Sequence, residues 1–146
     1  MSREILFKAK RKNCRNLPKE EWWVEGFYVP HIVDGEIVHY YILTGETSIE
    51  ETKEDDLVLD FYTEEIDPNT LCQYTGLTDK NGKKIWENDI LKNVYLDGNF
   101  KCEWDDDSAR YVLNRDGLTF DFDNYWHYEK EVIGNSFDNA ELLEEI

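Results

Sequence analysis

Six residues could carry soft-ligand or nucleophilic chemistry: Cys14, Cys72, Cys102, His31, His39 and His127. A zinc site draws four nitrogen or sulfur ligands from closely spaced pairs. Here no CxxC pair exists and the histidines stand apart, so the spacing assigns no metal ligand. Cys–His catalysis would need Cys72 or Cys102 to meet His39 or His127 in space, and nothing in the order of residues brings them together. Two acidic runs, Asp105-Asp106-Asp107 and Asp121-Phe122-Asp123-Asn124, offer hard oxygens. Both lack the turn glycine and distal glutamate of a calcium loop and read as solvated turns. No GxxxxGK[ST] or GxGxxG motif supplies a phosphate cradle. The sequence therefore assigns no catalytic residue, no cofactor and no metal, and predicts a protein that is not an enzyme.

The remaining chemistry is binding. Lys8, Lys10, Arg11 and Lys12 could form a phosphate-binding arm, or could protect an edge strand lying against an acidic body. Residues 1–19 carry +6, while the rest of the chain carries −23, giving the net −17 of the 146-residue chain. That field disfavours nucleic acid and anionic membranes as partners. Aromatic residues make up 14% of the chain, more than one small core accommodates, so part of them is expected at an interface. Trp22, Trp23, Tyr40 and Tyr41 are the candidates for that role, toward a second copy or a host or phage protein.

The elements that position these residues are short strands. Residues 3–12 alternate, with Ile5, Phe7 and Ala9 on one face and Lys8, Lys10 and Lys12 on the other. Trp22–Pro30 reads as a strand interrupted by Gly26, and Asp34-Gly35 as a two-residue turn into the strand Glu36–Leu43. There Ile37, His39 and Tyr41 are predicted on one face and Val38, Tyr40 and Ile42 on the other, with both faces covered. Residues 44–56 are polar and acidic apart from Ile49 and read as a solvated loop. Asp67-Pro68 starts a turn. Asn81-Gly82 predicts a type I′ hairpin with positive φ at both positions. Further turns at Asp97-Gly98 and Asp116-Gly117 separate strands at Ile85–Leu96, Phe100–Trp104, Arg110–Leu113, Leu118–Phe122 and Tyr125–Ile133. Asn139–Ile146 reads as a short helix of at most about two turns.

These elements predict a mainly β fold of short antiparallel strands. A β region over 1–62 packs with a small barrel-like β region over 63–146, as one compact unit with the acidic loop at 44–56 and a short C-terminal helix. No apolar run is long enough to span a bilayer and no signal-peptide core is visible. The odd cysteine count fits a reducing cytoplasm.

Three stretches resemble one family. The first is Arg3–Arg11, REILFKAKR, followed by Trp23–Tyr28, WVEGFY; the second, and most specific, is Gln73–Lys92, QYTGLTDKNGKKIWENDILK; the third is Val132–Leu143, VIGNSFDNAELL. In this order they resemble the YopX family, whose members are encoded by bacteriophages and prophages and are functionally uncharacterised. Glu87-Asn88-Asp89 stands where the family usually has Glu-Gly-Asp, and Ala140 replaces a common proline. Asparagine tolerates positive φ, so the turn should survive. The resemblance implies a mainly β protein whose C-terminal half is similar to a small SH3-like barrel. Gly76, Asn81, Gly82 and Gly134 read as turn or close-approach positions, and Asp89 as an acceptor for a turn backbone. The resulting expectation is a phage or prophage accessory protein acting by protein–protein interaction in the cytoplasm of the bacterial host. The alternatives are a nucleic-acid-binding small barrel and an acidic mimic of DNA that occupies a host DNA-binding protein.

Overall fold

The computed structural model describes residues 4–51, 57–93, 97–122 and 129–144. Expectations placed on Arg3 and on residues 52–56, 94–96, 123–128 and 145–146 lie outside them. The chain divides between Leu71 and Cys72 into two compact units, the second including Glu4.

In the first unit, β1 (Phe7–Lys10), β2 (Trp23–Val33), β3 (Glu36–Glu51) and β4 (Leu57–Glu65) lie in the order β4-β3-β2-β1, all antiparallel. The alternation in β1 is realised: Ala9 is fully buried with Val24, Ile42 and Ile66, and Phe7, Tyr28, Tyr40 and Leu71 pack against that cluster. Asp34 and Gly35 have φ of 51° and 81°, the two positive values that a type I′ turn requires. Asp67 starts its turn as expected: its Oδ1 accepts from Asn69 N at 3.0 Å, and a 3-10 turn follows at Pro68–Thr70. Thr70 ties this turn to β1, its Oγ1 accepting from Lys10 N at 2.8 Å.

The solvated loop expected over 44–56 is corrected by the structure for residues 44–51. Strand β3 runs on through Glu51, pairing Thr47 with Phe61 and Glu51 with Leu57 after a register shift beyond Leu43. Backbone pairing with β4 outweighs the polar composition of the segment, since a sheet ladder needs no apolar side chains once a neighbouring strand is present.

The second unit opens with a hairpin, β5 (Cys72–Thr78) and β6 (Lys84–Trp86). β7 (Asp89–Asn93), β8 (Asn99–Asp105), β9 (Arg110–Arg115), β10 (Leu118–Asp121) and β11 (Lys130–Asn135) then form a five-stranded sheet in the order β10-β9-β8-β7-β11. Ile85, Leu91, Phe100, Cys102, Tyr111 and Leu113 make its core. Among the described residues β10 and β11 stand at opposite ends of this order, so the sheet is open where a barrel would close. The predicted C-terminal helix is a single 3-10 turn, Ala140–Leu143. Asn139 makes no side-chain cap for it; its Oδ1 instead accepts from Asn135 N at 3.2 Å, at the end of β11. Without a cap, so short a segment does not meet the cost of helix nucleation.

Candidate protein-binding face

Partners across an antiparallel ladder share a face. Val29 therefore lies beside Tyr41, His31 beside His39, and Phe27 beside Leu43 on the side of the β2–β3 ribbon away from the core. A bulge changes the arithmetic toward the turn. Counting back from Asp34-Gly35 would set His31 opposite Val38, but the register shifts between His31 and Ile32, so His31 meets His39 and Ile32 meets Ile37. Ile37 thus shares a face with Ile32 and not with His39 and Tyr41, which corrects the predicted alternation. Coverage is corrected too. Every residue from His31 to His39 is exposed. Ile32 is 57% exposed, Val38 47% and Ile37 43%, so this end of the ribbon shows aliphatic side chains on both faces.

The four aromatic candidates fall into different places. Trp22 and Trp23 are half-buried and sit together among lysines. Lys10 Nζ lies 4.8 Å from the Trp22 ring and 5.6 Å from Trp23, Lys8 Nζ lies 4.8 Å from Trp23, and Lys19 Nζ 5.9 Å from Trp22. Each such contact is worth about 0.5–1 kcal/mol at a partly exposed site. Trp22 Nε1 donates to Leu17 O at 3.0 Å, which fixes its ring. Tyr40 faces the core cluster. Tyr41 is on the outward face, 6.0 Å from the His39 ring.

The basic residues of β1 and its extension are engaged within the unit. Arg11 donates to the carbonyls of Glu21 and Trp23 and pairs with Glu64 at 3.5 Å, and Lys12 lies 3.4 Å from Glu65. Glu65 also faces His39, with Oε1 at 2.9 Å from Nδ1. The His39 hydrogen bond, with help from Lys12, holds the Glu65 carboxyl below the usual range. His31 and His39 stack at 5.6 Å with their planes 10° apart, a pair that the sequence alone does not reveal.

The second unit spends its polar residues on turns. Asn81 does not take a positive φ; only Gly82 does, at 81°. The predicted type I′ turn is instead a three-residue loop closed by Asp79 N to Lys83 O at 2.8 Å and Gly82 N to Asp79 O at 3.0 Å. The reason is Asp79, which sequence reasoning passed over. Its Oδ1 accepts from Asn81 N at 2.8 Å and Lys83 N at 2.9 Å, and its Oδ2 from Val132 N at 3.0 Å. Burial pushes its pKa up, but the three backbone donors outweigh that and the net shift is downward. The legible signal was an aspartate two residues before Asn-Gly, the position of an Asx turn.

Asp89 acts as the motif suggests, with Oδ2 accepting from Trp86 N at 2.8 Å while the residue is 2% exposed. Asn88 beside it takes φ of 72°. Gly76 has φ of 90° within the register shift of β5, and Gly134 lies where a Cβ would come within 2.5 Å of Asn139 Oδ1. Asp105 caps its own turn, accepting from Asp107 N at 3.1 Å and Ser108 Oγ at 2.7 Å. Burial pushes the Cys102 thiol well up, away from thiolate chemistry. Among the described residues no group of three or more His, Cys, Asp or Glu side chains is placed to hold a metal ion, and no helix is long and apolar enough to cross a membrane.

A family model described as YopX protein matches residues 30–144. No curated protein matches the chain. Among solved structures, protein EF1440 from Enterococcus faecalis is similar over 97% of this chain and 99% of its own, with a TM-score of 0.65 and 22% identity. At that identity the likeness speaks for the fold.

Proposed function

Since the chain belongs to the YopX family, we propose that it is a phage- or prophage-encoded accessory protein without enzymatic activity, which works by binding protein in the cytoplasm of a bacterial host. The observation that carries this reading is the β2–β3 ribbon, where residues 31–39 expose Ile32, Val33, Ile37 and Val38 together. A two-stranded ribbon with aliphatic side chains on both faces leaves apolar area in water that a partner can cover. The stretch from His31 to His39 contains no Lys or Arg, and its two acids, Asp34 and Glu36, sit at the turn. That matches the depletion of charge at interface centres.

The test is affinity capture from bacterial lysate with the full chain and with an Ile32→Asp, Ile37→Asp variant, each with and without nuclease. A protein retained by the wild type, lost with the variant and indifferent to nuclease supports the reading. Capture that nuclease abolishes moves the function to nucleic acid.

A further inference from the structure

We propose that His31 and His39 form a two-imidazole chelate for a borderline divalent transition-metal ion of the zinc or nickel type. This stands apart from protein binding by the ribbon and does not rest on it. The two histidines are direct partners across the β2–β3 ladder, and their rings lie 5.6 Å apart and nearly parallel. Pro30 with Tyr40 continues the same register on one side, and Ile32 with Ile37 resumes the ladder past the bulge on the other, so the rings need only side-chain rotation to share an ion.

Glu65 prepares one of the two ligands. Its Oε1 lies 2.9 Å from His39 Nδ1 and 3.4 Å from Lys12 Nζ. An exposed carboxylate beside a lysine is ionised at neutral pH and only accepts hydrogen bonds. The Nδ1 of neutral His39 therefore carries the hydrogen and donates it to Glu65, which leaves the Nε2 lone pair for a metal. A carboxylate that orients a ligating imidazole in this way is the usual outer-shell partner of a metal-bound histidine.

Imidazole nitrogen suits zinc, nickel and copper rather than calcium or magnesium. Both histidines are exposed. Water can therefore fill the remaining coordination positions, and the site exchanges its ion readily with a chelator. An ion bound there joins β2 to β3 beside the bulge, across the stretch that no described residue covers.

The experiment is calorimetric titration of zinc chloride, nickel chloride and calcium chloride into the full chain. It is repeated with His31→Ala, His39→Ala, the double variant and Glu65→Ala, with folding checked by circular dichroism. The expected result is one zinc or nickel ion per chain, no calcium, and loss of that binding in the double variant. Bound zinc should also raise the melting temperature of the wild type but not of the double variant. Glu65→Ala, acting through His39, should keep the stoichiometry and weaken affinity about tenfold or more. Absence of zinc and nickel binding to the wild type overturns the proposal. So does undiminished binding to the double variant, which would assign the ion to scattered carboxylates or thiols. Unchanged affinity in Glu65→Ala would overturn the orienting role of Glu65.

Discussion

The turn at residues 79–83 and the turn at Asp34-Gly35 both reverse an antiparallel hairpin, yet they are held in opposite ways. The first is organised by a buried carboxylate that gathers three backbone N–H groups, one from β11. The second rests on two residues of positive φ in a stretch where every side chain is exposed. One turn is built into a core by a side chain that solvent does not reach. The other closes the end of a ribbon whose side chains face water. The second unit thus turns Asp79 and Asp89 inward to satisfy its own backbone, whereas the ribbon of the first unit presents apolar and imidazole groups outward.

The sharpest way to break this contrast is Asp79→Ala. Three N–H groups lose a charged acceptor, and the second unit should lose about 3–4 kcal/mol, read as a lowered denaturation midpoint. A midpoint shift below about 1 kcal/mol would mean that water replaces the carboxylate without penalty. Within the first unit, Gly26→Ala should cost about 2–3 kcal/mol, because a Cβ there runs into the Leu43 carbonyl oxygen and backbone, not a movable side chain, must yield. An unperturbed amide spectrum of β2 and β3 would contradict the close approach.

Gly82→Val probes conformation without crowding. Nothing lies within 4 Å of the new Cβ, so a cost of about 1–2 kcal/mol would come from φ of 81° alone. Equal stability in urea would show that the loop has another accessible form.

A graded effect comes from acid. The carboxyls of Asp79 and Glu65 both titrate below their usual range in the folded chain. Each therefore adds stability that is complete above the ordinary carboxylate pKa of about 4 and is lost as pH falls through the lowered folded value. The Asp79 part should persist in high salt and vanish in Asp79→Asn, whereas the exposed Glu65 part should fade with salt. Acid titrations at two ionic strengths separate the two, and an Asp79 contribution erased by salt would place that carboxylate in water. The smallest effect is expected for Ile32→Lys with Val38→Lys. Stability should change by no more than about 0.5 kcal/mol, since both side chains are already exposed. A larger loss on thermal melting would show that the ribbon end is packed.

Strands β8, β9 and β10 were legible because Asp97-Gly98 and Asp116-Gly117 punctuate the sequence where the chain turns, and Asp116 and Gly117 take the positive φ values expected of such a pair, whereas the strand read over Ile85–Leu96 is divided between β6 and β7. Asn88 at φ of 72° could be anticipated from the resemblance, since it stands where the YopX family usually has glycine. The His31–His39 pair could not. It depends on one extra residue, Val38, and a bulge leaves no mark in a run of β-formers. The strand character of residues 44–51 was hidden for a different reason. It is supplied by pairing with β4, a partner distant in sequence, and not by local preference. Asp79 was obscured by its company, since an aspartate before Lys-Asn-Gly reads as solvent-facing until Val132 is seen to donate to it.

The bond from Val132 to Asp79 spans 53 positions, and Lys80 N donates to Lys130 O beside it at 2.9 Å. During synthesis residues 79–83 are made before residues 130–132. The carboxylate therefore stays hydrated until that later strand is made, while every residue from Ile5 to Leu71 precedes both. Chain order alone thus sets a sequence of events: the first unit can complete its ladder on the nascent chain, and the second locks only once β11 has followed.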